Sequence, residues 1–222
     1  MDSFASFIDH TLLKAETREE EVKNVCQEAR EYQFKTVCIS PQWVKVAAQC
    51  LAGSQVLPIT VIGFPSGSVS TAEKEKEARQ AIADGAQELD MVLNRTLLKA
   101  FQYAKVEADI RAVVLAGQGK PVKVILETSE LTQNEKIIAC ALVKASGAHF
   151  VKTSTGFSNY GAQPKHLQIM RSSFNKGIKI SGGVNPDNVR AFIEHASAES
   201  NGYIDLDPML IRVGETSLLE KI

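Results

Sequence analysis

The chain has 222 residues, of which 44% are hydrophobic and 23% charged, with a formal net charge of -1. That composition belongs to a soluble globular protein of one large domain or two small ones, and a balance so near neutral offers no basic field for nucleic acid or an anionic membrane surface. A small-molecule partner is therefore expected, and Cys26, Cys38, Cys50 and Cys140, which form neither a C-x-x-C pair nor a zinc-spaced cluster with histidine, read as reduced buried thiols.

In chain order, the first strand is "FIDHT", beginning at Phe7. The N-terminal "MDSFASFIDH" carries neither a basic region nor a long apolar run, and no apolar run in the chain approaches the roughly 18 to 20 residues of a membrane span, so no signal peptide, no membrane span and a cytoplasmic location are expected. A capping box of Thr17 and Glu20 predicts the first helix start, and "TVCIS" forms the second strand. Ser40-Pro41 then has the N-cap and first-position proline of another helix, closed by Gly53. "ITVIGF" is the third strand, followed by the capping box Ser70/Glu73 and a helix ending at Gly85. "ELDMVLN" and "VKVILET" are the fourth and fifth strands. Thr132/Glu135 caps the helix that ends at Gly147. "FVKTST" and "IKISGG" are the sixth and seventh, Asn185-Pro186 predicts a further helix start, and "LIRVG" is the eighth strand. The stretch "HASAESNGYIDLDPM" just before it matches no pattern.

Eight strand–loop–helix units recurring every roughly 24 to 33 residues, without a break in composition, predict an α/β fold, a single (β/α)8 barrel occupying residues 1–222 as one catalytic domain. An open doubly wound sheet, built from the same units in smaller number, is the alternative.

In a barrel, strand side chains alternate between the interior and the helix layer. An interior built only for stability holds branched apolar residues, whereas these strands carry Asp9, His10, Glu88, Asp90, Lys123, Glu127, Lys152, Lys179 and Arg212. Glu88 is placed in the loop ahead of its strand, and Arg212 against the helix layer or its own loop. Lys123 and Glu127, four apart, share a face as a candidate orienting pair. Asp90, Lys152 and Lys179 sit inside short apolar strands, where a charge costs several kcal/mol unless paired, so they are the candidate chemical site. A lysine that is poorly solvated and close to another cation has a lowered pKa, and its neutral amine can attack a carbonyl to form an imine. Lys152 is the candidate nucleophile, Lys179 its perturbing neighbour, and Asp90 the proton relay. Ser181, Gly182 and Gly183 follow the seventh strand and Gly214, Thr216 and Ser217 the eighth, at the loops where this fold commonly binds phosphate; Thr155 and Gly156 close the same side. A phosphorylated carbonyl substrate uses all of these features.

The segments "FVKTSTGF", "IKISGGV", "ELDMVLN", "IDHTLLK" and "VIGFPSG" resemble the signatures of the deoxyribose-phosphate aldolases, a class I family, in order from Ile8 to the C-terminus. The resemblance implies a (β/α)8 barrel and reversible cleavage of 2-deoxy-D-ribose 5-phosphate to D-glyceraldehyde 3-phosphate and acetaldehyde, with neither metal nor cofactor. It places the Schiff base on Lys152, the second lysine on Lys179 and the proton relay on Asp90. Phosphate contacts fall on Gly156, Gly182, Gly183, Thr216 and Ser217, and Asp9, Thr11 and Cys38 resemble pocket residues. The family is often dimeric, which implies a homodimer. The chain departs from the family at Thr216, where a serine is usual, and in ending "LLEKI" rather than in a tyrosine. A transaldolase-like or other Schiff-base lyase on the same barrel, and a non-catalytic sugar-phosphate binder, are the alternatives.

Overall fold

The computed structural model describes residues 4–197, 199–200, 203–204 and 207–214. Eight parallel strands close in the order β1 (Ile8–Leu12), β10 (Ile211–Gly214), β7 (Gly177–Ser181), β6 (Phe150–Lys152), β5 (Val122–Ile125), β4 (Glu88–Val92), β3 (Leu57–Ile62) and β2 (Thr36–Ile39). All eight expected strands are present, and closure through the β1–β10 pair, Ile8 opposite Val213, excludes the open sheet. Helices α1 (Glu19–Glu31), α2 (Val44–Cys50), α3 (Thr71–Ala83), α4 (Arg95–Lys99), α5 (Tyr103–Ala116), α6 (Gln133–Ala145), α7 (Pro164–Ser173) and α8 (Val189–Ala196) surround the barrel.

The unassigned stretch before the eighth strand contains two short antiparallel strands, β8 (Glu199–Ser200) and β9 (Tyr203–Ile204), in a sheet separate from the barrel. Strands of two residues are too short to show a hydrophobic alternation.

Helix starts follow local hydrogen-bond chemistry. Ser70 and Thr132 are N-caps whose hydroxyls accept from the Glu73 and Glu135 amides at 3.3 and 3.2 Å, and each glutamate answers to its cap's own amide. The expected Thr17/Glu20 box is displaced by one residue. The Thr17 hydroxyl instead donates to the Lys14 carbonyl at 2.7 Å, and Glu21 accepts from the Arg18 amide at 2.9 Å. Ser40-Pro41 opens a 3-10 turn that runs into α2. Asn185-Pro186 does not start a helix, because the Asn185 side chain accepts from the Asp187 and Asn188 amides, making a turn that delays α8 to Val189.

Strand alternation sorts the interior. Outward residues such as Ile8, Val37, Leu89, Met91, Val124, Val151, Ile178 and Val213 are buried with the helices in one apolar core. Along the same strands, the charged side chains turn inward. The only apolar cluster among the described residues that is separate from the main core consists of Cys38, Ile59 and Val61 with Leu13 and Phe64 against them. Stability thus resides largely between strands and helices, which leaves the barrel interior free to be polar.

Candidate active site

Seven buried ionisable groups fill the interior from the middle of the barrel to its C-terminal mouth. On β4, Asp90 accepts from three lysines of three neighbouring strands: Lys123 at 2.9 Å on Oδ1, and Lys152 at 2.9 Å and Lys179 at 2.7 Å on Oδ2. Strand register brings them together, since Asp90 is opposite Lys123 and Lys152 opposite Lys179. Asp9 of β1 contacts Lys179 at 2.7 Å through Oδ2; its Oδ1 takes the Arg212 guanidinium and the Thr36 hydroxyl, the latter at 2.7 Å.

Two sequence expectations are corrected here. Glu88 is the first residue of β4 rather than a loop residue, and it accepts from Lys123 at 2.5 Å. Arg212 points into the barrel, with no exposed surface, and reaches Glu88 at 3.3 Å as well as Asp9. Each charge is buried opposite another, which the residues at strand ends do not reveal one at a time. A third expectation also fails. Lys123 and Glu127 do not share a face, because β5 ends at Ile125 and Glu127 turns into a left-handed conformation with φ 57°. Glu127 instead accepts from the amide and hydroxyl of Thr155 and from Ser158.

The electrostatics single out one lysine. Among the described residues the interior holds three carboxylates (Asp9, Glu88, Asp90) and four cations (Lys123, Lys152, Lys179, Arg212). Lys123 and Lys179 each contact more than one carboxylate, whereas Lys152 reaches only the shared Oδ2 of Asp90. Burial lowers the Lys152 pKa and the neighbouring Lys179 charge lowers it further; Asp90 only partly opposes them. For Lys179, burial is outweighed by Asp9 and Asp90, and its pKa rises. Burial would likewise raise Asp90, but Lys123, Lys152 and Lys179 hold it well below the carboxylate range. The result is an aspartate ionised at rest, a lysine held in its charged form, and beside them an amine whose pKa is lowered toward the neutral form.

The loop residues gather above this cluster. Gly156, Gly182 and Gly183 have positive φ of 87, 83 and 71° at the ends of β6 and β7. The β6–α7 and β7–α8 loops are clamped together where Ala162 donates to the Gly182 carbonyl at 2.9 Å. A Cβ on Gly161 would lie 1.9 Å from that oxygen, so only glycine fits. Ser181 is buried and donates to the Ser154 carbonyl at 2.6 Å. Gly214 ends β10 against Lys179, whose Cε would be 2.7 Å from an added Cβ. Thr11 donates to the Asp9 carbonyl at 2.8 Å, and Cys38, buried on β2, has its thiol pKa raised by that burial. Thr216 and Ser217 lie outside the described residues. Sequence reasoning missed Gly161, which sits in a run of turn residues, "FSNYGAQ", with no motif to mark it.

The profile of the DeoC/LacD aldolase family matches residues 4–206. The chain belongs to this family of aldolases. Among its curated relatives are the deoxyribose-phosphate aldolases of Staphylococcus epidermidis, 50% identical over 81% of this chain and 83% of that protein, and of Bacillus cereus, 52% identical over 82% and 83%. A crystal structure described as a putative deoxyribose-phosphate aldolase from Coccidioides immitis superposes with a TM-score of 0.86 at 38% identity, covering 96% of this chain and 81% of that one. Among the described residues no group of three or more His, Cys, Asp or Glu side chains is arranged to hold a metal ion.

Proposed function

We propose that the chain is a class I aldolase that reversibly cleaves 2-deoxy-D-ribose 5-phosphate through a Schiff base on Lys152. The observation that carries the role assignment is the placement of Lys152, which among the described residues is the only member of the barrel's cation cluster that touches a single, already shared, carboxylate oxygen; its burial beside Lys179 lowers its pKa in keeping with that placement. Its neutral amine adds to the aldehyde carbon of the open-chain sugar, and loss of water gives an iminium. Removing the proton from the C3 hydroxyl lets the C2–C3 bond break, with its electron pair drawn toward the iminium nitrogen. D-glyceraldehyde 3-phosphate leaves. The remaining enamine takes a proton at C2, and hydrolysis of the new imine releases acetaldehyde and the free lysine.

Asp90, with Oδ2 2.9 Å from the Lys152 nitrogen, is ionised at rest and so begins as a proton acceptor for the carbinolamine and imine steps. Lys179 keeps its charge and supplies the field that favours neutral Lys152. Amides around Gly156, Gly182, Gly183 and Gly214, with the hydroxyls of Thr216 and Ser217, receive the phosphate, while Thr155 and Ser181, whose hydroxyls donate to Glu127 and to the Ser154 carbonyl, hold the loops that present those amides. Asp9, Thr11 and Cys38 line the sugar-binding side. We place the activity in one catalytic domain of a cytoplasmic homodimer. No helix among the described residues is long and apolar enough to cross a membrane. A relative from Aeropyrum pernix, 29% identical over 96% of this chain, is described as tetrameric, so light scattering should return a dimer mass, and a tetramer mass would replace that assembly. The test of function is release of D-glyceraldehyde 3-phosphate from deoxyribose 5-phosphate, present in the native chain and abolished in Lys152→Ala. Cleavage by Lys152→Ala at the native rate would refute the mechanism.

A further inference from the structure

Glu127 stands apart from the charged cluster. It is 1% exposed, two residues past the end of β5, and holds a φ of 57° that an L side chain adopts only at a cost. Its partners are hydroxyl and amide donors of another loop, not the cations of the barrel interior. Oε2 accepts from the Thr155 amide at 3.1 Å and from the Thr155 hydroxyl, and Oε1 accepts from the Ser158 hydroxyl at 2.8 Å. Thr155 Oγ1 in turn accepts from the Phe157 amide at 3.1 Å. One buried carboxylate therefore grips both sides of the Gly156–Phe157 dipeptide.

That dipeptide lies in the β6–α7 loop, at the C-terminal end of the barrel strands. Gly156 is exposed with φ 87°, and Phe157, 61% exposed, meets Phe64 edge-on at 5.2 Å. Phe64 follows β3, three strands round the barrel from β6, so the loop reaches across the opening beyond Lys152. A strained backbone held by a saturated carboxylate marks a position whose geometry is over-determined, as expected where a loop must present its amides at a fixed reach.

We infer that Glu127 is a positioning residue that sets the Thr155–Ser158 backbone so that the amides around Gly156 meet the phosphate of a substrate bound at Lys152. The inference rests on the sugar-phosphate reading above, and its test separates the two. With the full chain, Glu127→Ala is expected to raise KM for 2-deoxyribose 5-phosphate by about tenfold or more and to lower kcat by less. With unphosphorylated 2-deoxyribose, KM should move by less than about twofold. Glu127→Gln, which keeps an acceptor oxygen, should recover part of the loss, and Ser158→Ala should reproduce part of it. Reductive trapping with acetaldehyde should label Lys152 in Glu127→Ala as fully as in the native chain. Should Glu127→Ala prove insoluble, the same substrate comparison is made on Glu127→Gln and Ser158→Ala. Equal losses on both substrates, or an unchanged KM for the phosphorylated one, would overturn the role of Glu127. Absence of trapping in the native chain would instead overturn the imine reading.

Discussion

Replacing Lys179 by leucine removes the charge held closest to the candidate nucleophile. The Lys152 and Lys179 nitrogens lie 2.9 and 2.7 Å from the same oxygen of Asp90, so they are within about 6 Å of each other. At an effective dielectric of about 20, two like charges at that distance repel by roughly 3 kcal/mol, equivalent to about 2 pKa units. Both side chains are almost fully buried, so solvent screening takes little from that figure. Losing Lys179 also leaves more of Asp90's charge to Lys152, which acts in the same direction. The Lys152 pKa should therefore rise in Lys179→Leu. Because only the neutral amine attacks, the ascending limb of the pH–rate profile should move upward by about 1 to 2 units, and imine formation near pH 7 should slow by about 10- to 100-fold. The assay is the rate of reductive trapping with acetaldehyde as a function of pH, beside kcat/KM for deoxyribose 5-phosphate. A limb that stays in place would refute electrostatic coupling between the two lysines.

Other outcomes follow from individual contacts. Gly161→Ala drives a Cβ into the Gly182 carbonyl, forcing the two loops apart; KM for the phosphorylated substrate should rise by about tenfold or more, and a native KM would show that the clamp does not shape the phosphate side. Arg212→Met removes one of the buried cations that hold the Asp9 carboxyl below its ordinary range. A depressed carboxylate contributes stability that is present above its unfolded pKa and lost as pH falls through its folded one. The acid-unfolding midpoint, followed by circular dichroism, should thus move to higher pH in Arg212→Met, and an unmoved midpoint would show that this pair is not coupled to folding. Asp90→Asn takes from Lys152 its one carboxylate contact and from Lys123 and Lys179 one of theirs, and should cost about 3 to 5 kcal/mol in denaturant unfolding, together with the loss of cleavage. A native unfolding midpoint would contradict the charge network.

Much of this architecture was legible because each signal is local. Short β-branched runs separated by capping boxes marked all eight barrel strands, and lysines at inward positions of buried strands marked the polar interior. What depends on closure was less legible. Glu88 and Arg212 are at strand positions where sequence cannot distinguish a loop end from a barrel interior, and the two, which partner each other, are 124 residues apart in the chain. Glu127 looked like a continuation of β5 because "VKVILET" has no glycine or proline to announce its turn. The left-handed residue is a glutamate, which is uncommon there, so composition pointed the wrong way. The Thr17/Glu20 box failed by a single residue because the helix begins after Arg18, whose amide Glu21 takes, while the Thr17 hydroxyl turns back to donate to the Lys14 carbonyl.

The central claim is that Lys152, uniquely among the buried lysines, attacks the aldehyde. The most direct measurement is incubation with acetaldehyde followed by borohydride reduction and peptide mass mapping. The account predicts one ethyl adduct on the peptide carrying Lys152, absent from Lys152→Ala. An adduct on Lys179 or Lys123, or no adduct while cleavage proceeds, would contradict it.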